Sequence, residues 1–280
     1  MAVELASITR ADVPRVAAFL HGHLDTEVSP ERWARAIDVP WSPELGFMLV
    51  EGDDVVGVQL AWRSQRTVAG REERFCNLGS WCVLPEHRGH SLRLLRAALS
   101  DRDCHYTDLT PRPEVVAINE RLGFRHLDTT SVLVPNLPWP VRGSVSSDPA
   151  VLERTLTGVS LQRYRDHAGA EPARHVVLRR AEAWCYVMLR IERRKGMRIA
   201  SLLHVSDPEL FAAMAKPLAR YLLLRHGAVA TVVEDRVAGG RPVPAPALTL
   251  RRTQPKMFRS SRLEPADADD LYSELVFQPW

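Results

Sequence analysis

The feature that most constrains this chain is a strand, a tight turn and a helix that follow one another over residues 81–99. The apolar strand ends at Pro85, the turn carries Arg88 and Gly89, and the helix begins near Ser91 with leucines three and four residues apart. Amides in the first turn of a helix lack partners within the helix, and the helix dipole makes that end positive. Such a turn can bind an anion, and a diphosphate suits its geometry. An ordinary turn with a solvated arginine fits the same pattern, so these residues leave both interpretations open.

Helical and strand patterns alternate along the chain and predict a mixed α/β fold. In the first half we predict strands over residues 3–8, 47–51, 55–63, 75–84, 106–109 and 126–134, with later helices over 91–99 and 115–122. In the second half we predict a helix over 151–167, three strands, a further helix, strands over 228–234 and 247–251, and a closing helix over 265–275. Because both halves follow the same coarse order of elements, we expect a duplicated fold.

A change in composition separates the two halves. The stretch from Pro135 to Ala150 holds four prolines, one glycine and three serines, which is typical of a linker. We therefore predict a first domain over residues 1–138, a linker over 139–150 and a second domain over 151–280.

Composition excludes several classes of partner. The net charge of the chain is only +3 and the arginines are spread along the sequence, so we expect no nucleic-acid partner. The four cysteines, at positions 76, 82, 104 and 185, have neither Cys-x-x-Cys pairing nor histidines at zinc spacing, which predicts free thiols and no metal. No apolar run could span a bilayer and the N-terminus does not resemble a signal peptide, so we expect a cytoplasmic protein with no membrane partner.

Two motifs resemble those of the GNAT acyltransferase superfamily. The run Val-Leu-Pro-Glu-His-Arg-Gly at residues 83–89 resembles its coenzyme-A loop, and Ala-Ile-Asn-Glu-Arg-Leu-Gly-Phe at 117–124 is similar to a later helix that commonly reads A-L-Y-E-K-L-G-F. Spacing and element order agree over residues 3–134. The resemblance implies a mixed, mostly antiparallel sheet flanked by helices, with an active domain over 1–138 and a degenerate GNAT-like copy over 151–280.

The resemblance also implies a site for an acyl-CoA co-substrate. The backbone of Trp81, Cys82 and Val83 would pair with the pantetheine arm as a further strand. Amides from the loop and the start of the helix would hold the pyrophosphate, at Arg88, Gly89, His90, Ser91, Leu92 and Arg93. The thioester would lie where two strands separate, near Val83 and Tyr106, and the acceptor would attack it without a covalent enzyme intermediate.

Three residues depart from the family pattern. Ser91 stands where the family has glycine, and serine is acceptable there because it caps helices well. Arg93 stands where the family has glycine or alanine, and it can crowd the diphosphate, bind it, or point to solvent. Asn119 occupies the position of the tyrosine that protonates the leaving thiolate in many members, and an amide cannot act as that acid.

Either another residue serves as the acid, or the thiolate, with an ordinary pKa of about 8.5, leaves unaided. Tyr106 is the candidate acid because it lies on the strand that should flank the thioester, although a core aromatic with its hydroxyl satisfied fits the same position. Asp108 is the candidate base, because a carboxylate inside a short strand requires an explanation. Glu72, Glu73 and Asn77 could contribute directly or through water.

These observations predict an acyltransferase that uses acetyl-CoA or another acyl-CoA and acts on the amine or hydroxyl of a small-molecule acceptor. Trp33 and Trp41 lie in the segment that shapes the acceptor pocket in this superfamily, and core packing would explain them equally well. The alternative is an inert acyl-CoA-binding sensor or scaffold, because Ser91, Arg93 and Asn119 depart from the active pattern. A homodimer is compatible with either function.

Overall fold

The protein is described by a computed structural model over residues 2–140, 142–240, 246–250 and 254–278. Its chain forms two compact units. Among the described residues, the first unit contains 2–127, 256–268 and 272–278, and the second contains those of 128–255 and 269–271. No described helix is both long and apolar enough to cross a bilayer.

Strands and helices alternate along both units. The strands are β1 Val3–Ser7, β2 Gly46–Glu51, β3 Asp54–Val68, β4 Arg71–Val83, β5 His105–Asp108, β6 Arg125–His126, β7 Ser131–Pro135, β8 Ser144–Ser146, β9 Ala173–Arg180, β10 Ala183–Arg194, β11 Met197–Val205, β12 Ala228–Glu234, β13 Leu248–Leu250 and β14 Met257–Arg259. The α-helices are α1 Val13–His23, α2 Pro30–Ile37, α3 Ser91–Ala98, α4 Pro113–Arg121, α5 Pro149–Thr155, α6 Gly158–His167, α7 Pro208–His226 and α8 Glu274–Phe277. Short 3-10 helices lie at Arg10–Asp12, Pro85–His90 and Pro265–Asp267.

Each unit is built around one seven-stranded sheet. The first has the order β1-β2-β3-β4-β5-β14-β6, and the second has the order β8-β9-β10-β11-β12-β7-β13. Neighbouring strands are antiparallel except β4 with β5 and β11 with β12, which are parallel and hold the same place in the two orders. The predicted mixed, mostly antiparallel sheet flanked by helices is confirmed, and the matching orders are consistent with duplication.

The division of the chain differs from the predicted boundaries at 138 and 150. β7 pairs with β12 from Ser131 to Pro135, and Val132 and Val134 pack on the core of the second unit. The equivalent place beside β5 in the first sheet is occupied by β14. The segment predicted as one strand over 126–134 is therefore divided between the sheets, and residues 256–268 and 272–278 return to the first unit.

Two predicted helices are also shorter than expected. The helix predicted over 151–167 is interrupted at Leu156, whose backbone is extended, and resumes at Gly158, which has a φ of +54°. A left-handed backbone at that position favours glycine and ends the regular helical pattern. The closing helix predicted over 265–275 is reduced to the 3-10 helix at 265–267 and the short α8.

Candidate functional site

The two parallel strands of the first sheet separate after a short pairing. β4 and β5 pair only over residues 75–77 and 105–107. β4 then continues to Val83, whereas β5 ends at Asp108. Beyond the pairing, one edge of β4 bonds to β3 and no described strand pairs with its other edge. Backbone N–H and C=O groups along that edge can therefore bind an extended ligand as a further strand would.

The residues predicted to pair with pantetheine lie on this separated part of β4. Trp81, Cys82 and Val83 are half-buried and pair with β3 along their other edge. The Cys82 thiol donates to the carbonyl oxygen of His23 at 3.6 Å, so it is turned toward α1. The buried Trp81 indole N–H finds no acceptor among the residues that the structure describes. The predicted strand is thus present with a free edge and an unsatisfied donor.

A β-bulge bends β4 where it leaves β5. Leu78 opposes Ala61 and Trp81 opposes Gln59, so three steps along β4 match two along β3. The Gln59 amide donates to the carbonyl oxygen of Gly79 at 3.0 Å and holds the bulge in place. A Cβ atom at Gly79 would lie 2.5 Å from the buried ring of Trp62, so only glycine fits without displacing that ring.

The turn after β4 is more regular than the sequence predicts. Residues 85–90 form a 3-10 helix that runs directly into α3. The amide of His87 donates to the Leu84 carbonyl oxygen at 3.0 Å, and the amide of Ser91 donates to the Arg88 carbonyl oxygen. A 3-10 helix uses amides in such bonds, so fewer remain for an anion than an open loop would offer. Arg88 and Gly89 are exposed.

The side chains at the start of α3 differ from expectation. Arg93 donates to the carbonyl oxygen of Val3 at 3.0 Å and lies 3.4 Å from Nδ1 of His90, so its guanidinium is tied to β1. Leu92 is 47% exposed, whereas Leu94 and Leu95 enter the core, so the buried face of α3 is rotated from the predicted one. In the structure the Arg93 side chain therefore bonds to β1 of the same unit, in place of the phosphate contact that was one of its predicted roles.

Tyr106 is part of the core and not of the opening between the strands. Its ring is 1% exposed and packs with Cys76, Cys104 and Leu95. Its hydroxyl donates to the carbonyl oxygen of Asp101 at 2.8 Å, and burial raises the pKa of that hydroxyl. The structure corrects the catalytic role predicted for Tyr106, because its proton is engaged by the backbone and is harder to release than usual.

Asp108 lies buried at the end of β5. Its Oδ2 accepts a hydrogen bond of 2.8 Å from Nδ2 of Asn119, the residue at the family's tyrosine position. Burial raises the pKa of Asp108 to about 7, although the bond from Asn119 opposes the shift. Oδ1 of Asn119 is fully buried and accepts no hydrogen bond from the described part of the chain. The amide and the carboxyl group thus form a buried pair at the predicted site.

Glu274 is a second buried carboxyl group beside this strand end, and the sequence analysis did not identify it. Its Oε1 accepts hydrogen bonds from the Leu109 amide at 3.1 Å and the Thr110 hydroxyl at 3.0 Å. Its own amide donates to Oδ1 of Asn77 at 3.2 Å. Burial and then the charge of Asp108 raise the pKa of Glu274 to about 8. The available signal was an acid within an otherwise apolar C-terminal segment.

The C-terminal segment over residues 274–278 contacts both arms of the strand opening. Glu274 bonds to the β5 side, and Gln278 donates to the hydroxyl oxygen of Ser80 on β4 at 2.8 Å. Trp41 packs its ring against Tyr272 and Phe277, with centroids 5.0 and 5.5 Å away. The C-terminal segment therefore forms one wall of the opening.

The remaining predicted residues have other partners. Glu72 accepts a hydrogen bond from the Thr67 hydroxyl at the surface. Glu73 is bonded to His105 at 3.0 Å, and Asn77 donates to Oγ1 of Thr107 at 3.0 Å. Trp33 is fully buried and donates to the Asp25 carbonyl oxygen, which is the core packing offered as the alternative. No cluster of three or more metal-ligating side chains occurs in the described ranges.

Comparison with known proteins identifies the fold. A GCN5-related N-acetyltransferase from Anabaena variabilis is 10% identical in sequence to this chain, with a TM-score of 0.61. The alignment covers 92% of this chain and 72% of that protein's chain. A GCN5-related N-acetyltransferase from Kribbella flavida is 19% identical with a TM-score of 0.59, covering 92% and 71%. An N-myristoyltransferase from Saccharomyces cerevisiae with bound myristoyl-CoA is 10% identical with a TM-score of 0.54, covering 100% and 86%.

These similarities show that the chain has the fold of GCN5-related N-acetyltransferases. No protein-family model matches the sequence, and no curated protein sequence matches it.

Proposed function

We propose that this chain is an acyl-CoA-dependent acyltransferase that transfers an acyl group, most simply acetyl, to the amine or hydroxyl of a small-molecule acceptor. The observation that carries the proposal is the separation of β4 from β5, which leaves one edge of β4 free beside a buried carboxyl group. An extended pantetheine arm fits such an edge, and its thioester would lie beside the group that moves protons.

The donor would be held along one continuous path. The backbone of Trp81, Cys82 and Val83 would bond to the pantetheine amides. The exposed guanidinium of Arg88 and the positive end of α3 would attract the diphosphate, and Gly89 leaves room for close approach because nothing lies within 4 Å of a Cβ built there. The amide of Ser91 is already hydrogen-bonded within the turn. The charge of Arg88 would therefore supply more of the attraction for the diphosphate than it would beside an open loop.

Asp108 is the residue that we propose for proton transfer. With a pKa of about 7 it is present in both protonation states near neutral pH. As the carboxylate it would accept the proton released by the attacking amine or hydroxyl, and it would then return that proton to the leaving thiolate. Asn119 would hold the carboxyl group in one orientation through its hydrogen bond of 2.8 Å.

The second unit is proposed to be a degenerate copy that does not bind coenzyme A. At the matching junction of β11 and α7, Oδ1 of Asp207 accepts hydrogen bonds from the amides of Glu209 and Leu210 at 3.0 and 2.9 Å. The carboxylate therefore occupies the helix end where a phosphate would bind, and its charge would repel one.

Two measurements test the acyltransferase proposal. Isothermal titration with acetyl-CoA should give one site, and thiol release in the presence of an acceptor panel should follow. Asp108→Asn should lower kcat by about 10²- to 10⁴-fold without changing the Kd for acetyl-CoA. Asp103→Asn, at a side chain that is 78% exposed, is the matched control and should retain activity.

The alternative is an inert acyl-CoA sensor, which Asn119 favours, because its amide at the family's tyrosine position cannot act as a general acid. Tight binding with no turnover of any acceptor would support the sensor. Absence of binding at millimolar acetyl-CoA would exclude both functions.

A further inference from the structure

The second unit has a surface cavity of about 340 Å³ that β8 and α7 line together. Its lining comes from β8 and from the C-terminal half of α7, and includes Val145, Pro217, Arg220, Tyr221, Leu224 and Arg225. A volume of this size is in the range of sites for small organic ligands. None of these residues belongs to the proposed donor path, so the cavity is a separate feature of the molecule.

The walls of the cavity are largely apolar and are held in place by the core. Val145 and Tyr221 pack against the core of the second unit, and Pro217 is buried. The Tyr221 hydroxyl donates to Oγ of Ser147 at 2.6 Å, which fixes the direction of the ring. Leu224 is 64% exposed, so a ligand with an apolar part would remove this side chain from water.

The charged groups that line the cavity are both cationic. Arg220 and Arg225 are exposed, and neither forms an ion pair with a carboxylate in the part of the chain that the structure describes. The Arg220 guanidinium makes only a long hydrogen bond of 3.5 Å to the carbonyl oxygen of Trp139. Asp148, which follows Ser147, is engaged at the start of α5, where it accepts a hydrogen bond of 2.8 Å from the amide of Ala150. Both guanidinium groups can therefore bind an anion.

The histidine at the end of α7 lies in the same positive field. The ring of His226 packs edge-on against that of Tyr221, with centroids 5.6 Å apart. Burial lowers the pKa of His226, and nearby guanidinium groups lower it further, in the order Arg174, Arg225 and Arg198. The positive charge around this wall of the cavity is thus larger than that of the two lining arginines alone.

We propose that this cavity binds an amphipathic carboxylate, a medium-length alkyl chain that carries one carboxylate group. The chain would lie against Leu224, Pro217 and Val145, and the carboxylate would be held by Arg220 and Arg225. The paired N–H groups of a guanidinium match the two oxygens of a carboxylate. Inorganic phosphate would leave the leucine in water, and a neutral alkyl chain would leave the guanidinium groups without an anion. The site does not depend on the acyl-CoA function.

Isothermal titration of the full chain with decanoate tests the site and should give saturable binding at one site. Arg220→Ala and Arg225→Ala should each raise the Kd by about 10-fold, because each removes a charge-assisted hydrogen bond. Leu224→Ala should raise it by a smaller factor, about 3-fold, because less apolar surface is buried. Arg71→Ala, at an exposed arginine of the first unit, is the matched control and should leave the Kd unchanged.

Two further ligands separate the apolar contribution from the charge. Decanol, which has the chain without the charge, should bind at least about 10-fold more weakly than decanoate, and acetate, which has the charge without the chain, should not bind. Thermal unfolding followed by circular dichroism establishes that each variant is folded. The proposal would be overturned by the absence of saturable binding at millimolar decanoate, by decanol binding as tightly as decanoate, or by wild-type affinity in both arginine variants.

Discussion

At the scale of single residues, the unusual feature is a pair of carboxyl groups buried at one strand end. Asp108 and Glu274 are 7% and 0% exposed, and their pKa values are raised to about 7 and about 8. Burial is the larger cause for both, and the charge of Asp108 adds to the shift of Glu274. Ionising both carboxyl groups is therefore costly, so near neutral pH the pair retains protons that it would lose in the unfolded chain.

The raised pKa values of this pair predict that the free energy of unfolding falls as pH rises. Between about pH 4 and pH 8 the native state binds more protons than the unfolded state, so the free energy of unfolding decreases with increasing pH. Each carboxyl group contributes at most about 1.4 kcal/mol per pH unit. Urea unfolding at several pH values measures the slope, which Asp108→Asn and Glu274→Gln should each reduce. Glu27→Gln, at an exposed acid, is the control, and equal slopes in all variants would contradict the assignment.

At the scale of elements, the short strand β14 contributes more to the first sheet and its core than its length suggests. It lies between β5 and β6, and Phe258 is fully buried against Phe75, Leu109 and Leu127. Three residues from the far end of the sequence therefore complete both the hydrogen bonding and the core of the first sheet. The bulge at Gly79 is the other decisive element, because it bends β4 away from β5.

Truncation of the β14 side chain should destabilise the first unit strongly. Phe258→Ala removes a buried ring and leaves a cavity, so the free energy of unfolding should fall by about 3–5 kcal/mol. Leu5→Ala, at a side chain that is 37% exposed on β1, should change it by only about 0.5 kcal/mol. Urea unfolding followed by tryptophan fluorescence compares the two. A similar small effect of both substitutions would show that β14 is not part of the stable core.

At the scale of the whole molecule, the first sheet is not built from one continuous stretch of chain. β14 completes it from beyond the second unit, whereas β7 to β13 of the second sheet follow one another along the chain. The first unit should therefore need the chain that follows the second unit in order to fold, even though each unit has its own core.

The distant origin of β14 predicts the behaviour of fragments. Residues 1–138 alone lack β14 and should aggregate or unfold without cooperativity, because the apolar edge beside β5 remains uncovered. Residues 1–127 joined by a Gly/Ser linker to 256–280 should recover a cooperative transition in circular dichroism. A cooperative, monomeric 1–138 fragment would show that β7 can replace β14 in the first sheet.

The sequence by itself determined the local structure around the candidate site. Pro85, Gly89 and the leucine spacing predicted the strand, turn and helix, because caps, turns and apolar periodicity depend on near neighbours. The alternation of elements predicted the mixed sheet, and Asp108 was chosen as a candidate because a carboxylate inside a short strand is unusual. These signals are local, and the structure contains the corresponding elements.

The tertiary structure decided everything that depends on distant partners. The membership of β7 in the second sheet and of β14 in the first could not be predicted, since strands of similar composition can pair with either sheet. Tyr106 was misassigned because the carbonyl group that engages its hydroxyl is visible only in three dimensions. Glu274 gains its significance from a partner 165 residues away. Local propensity acts through the backbone of near neighbours, whereas burial and hydrogen bonding between distant side chains exist only once the chain is folded.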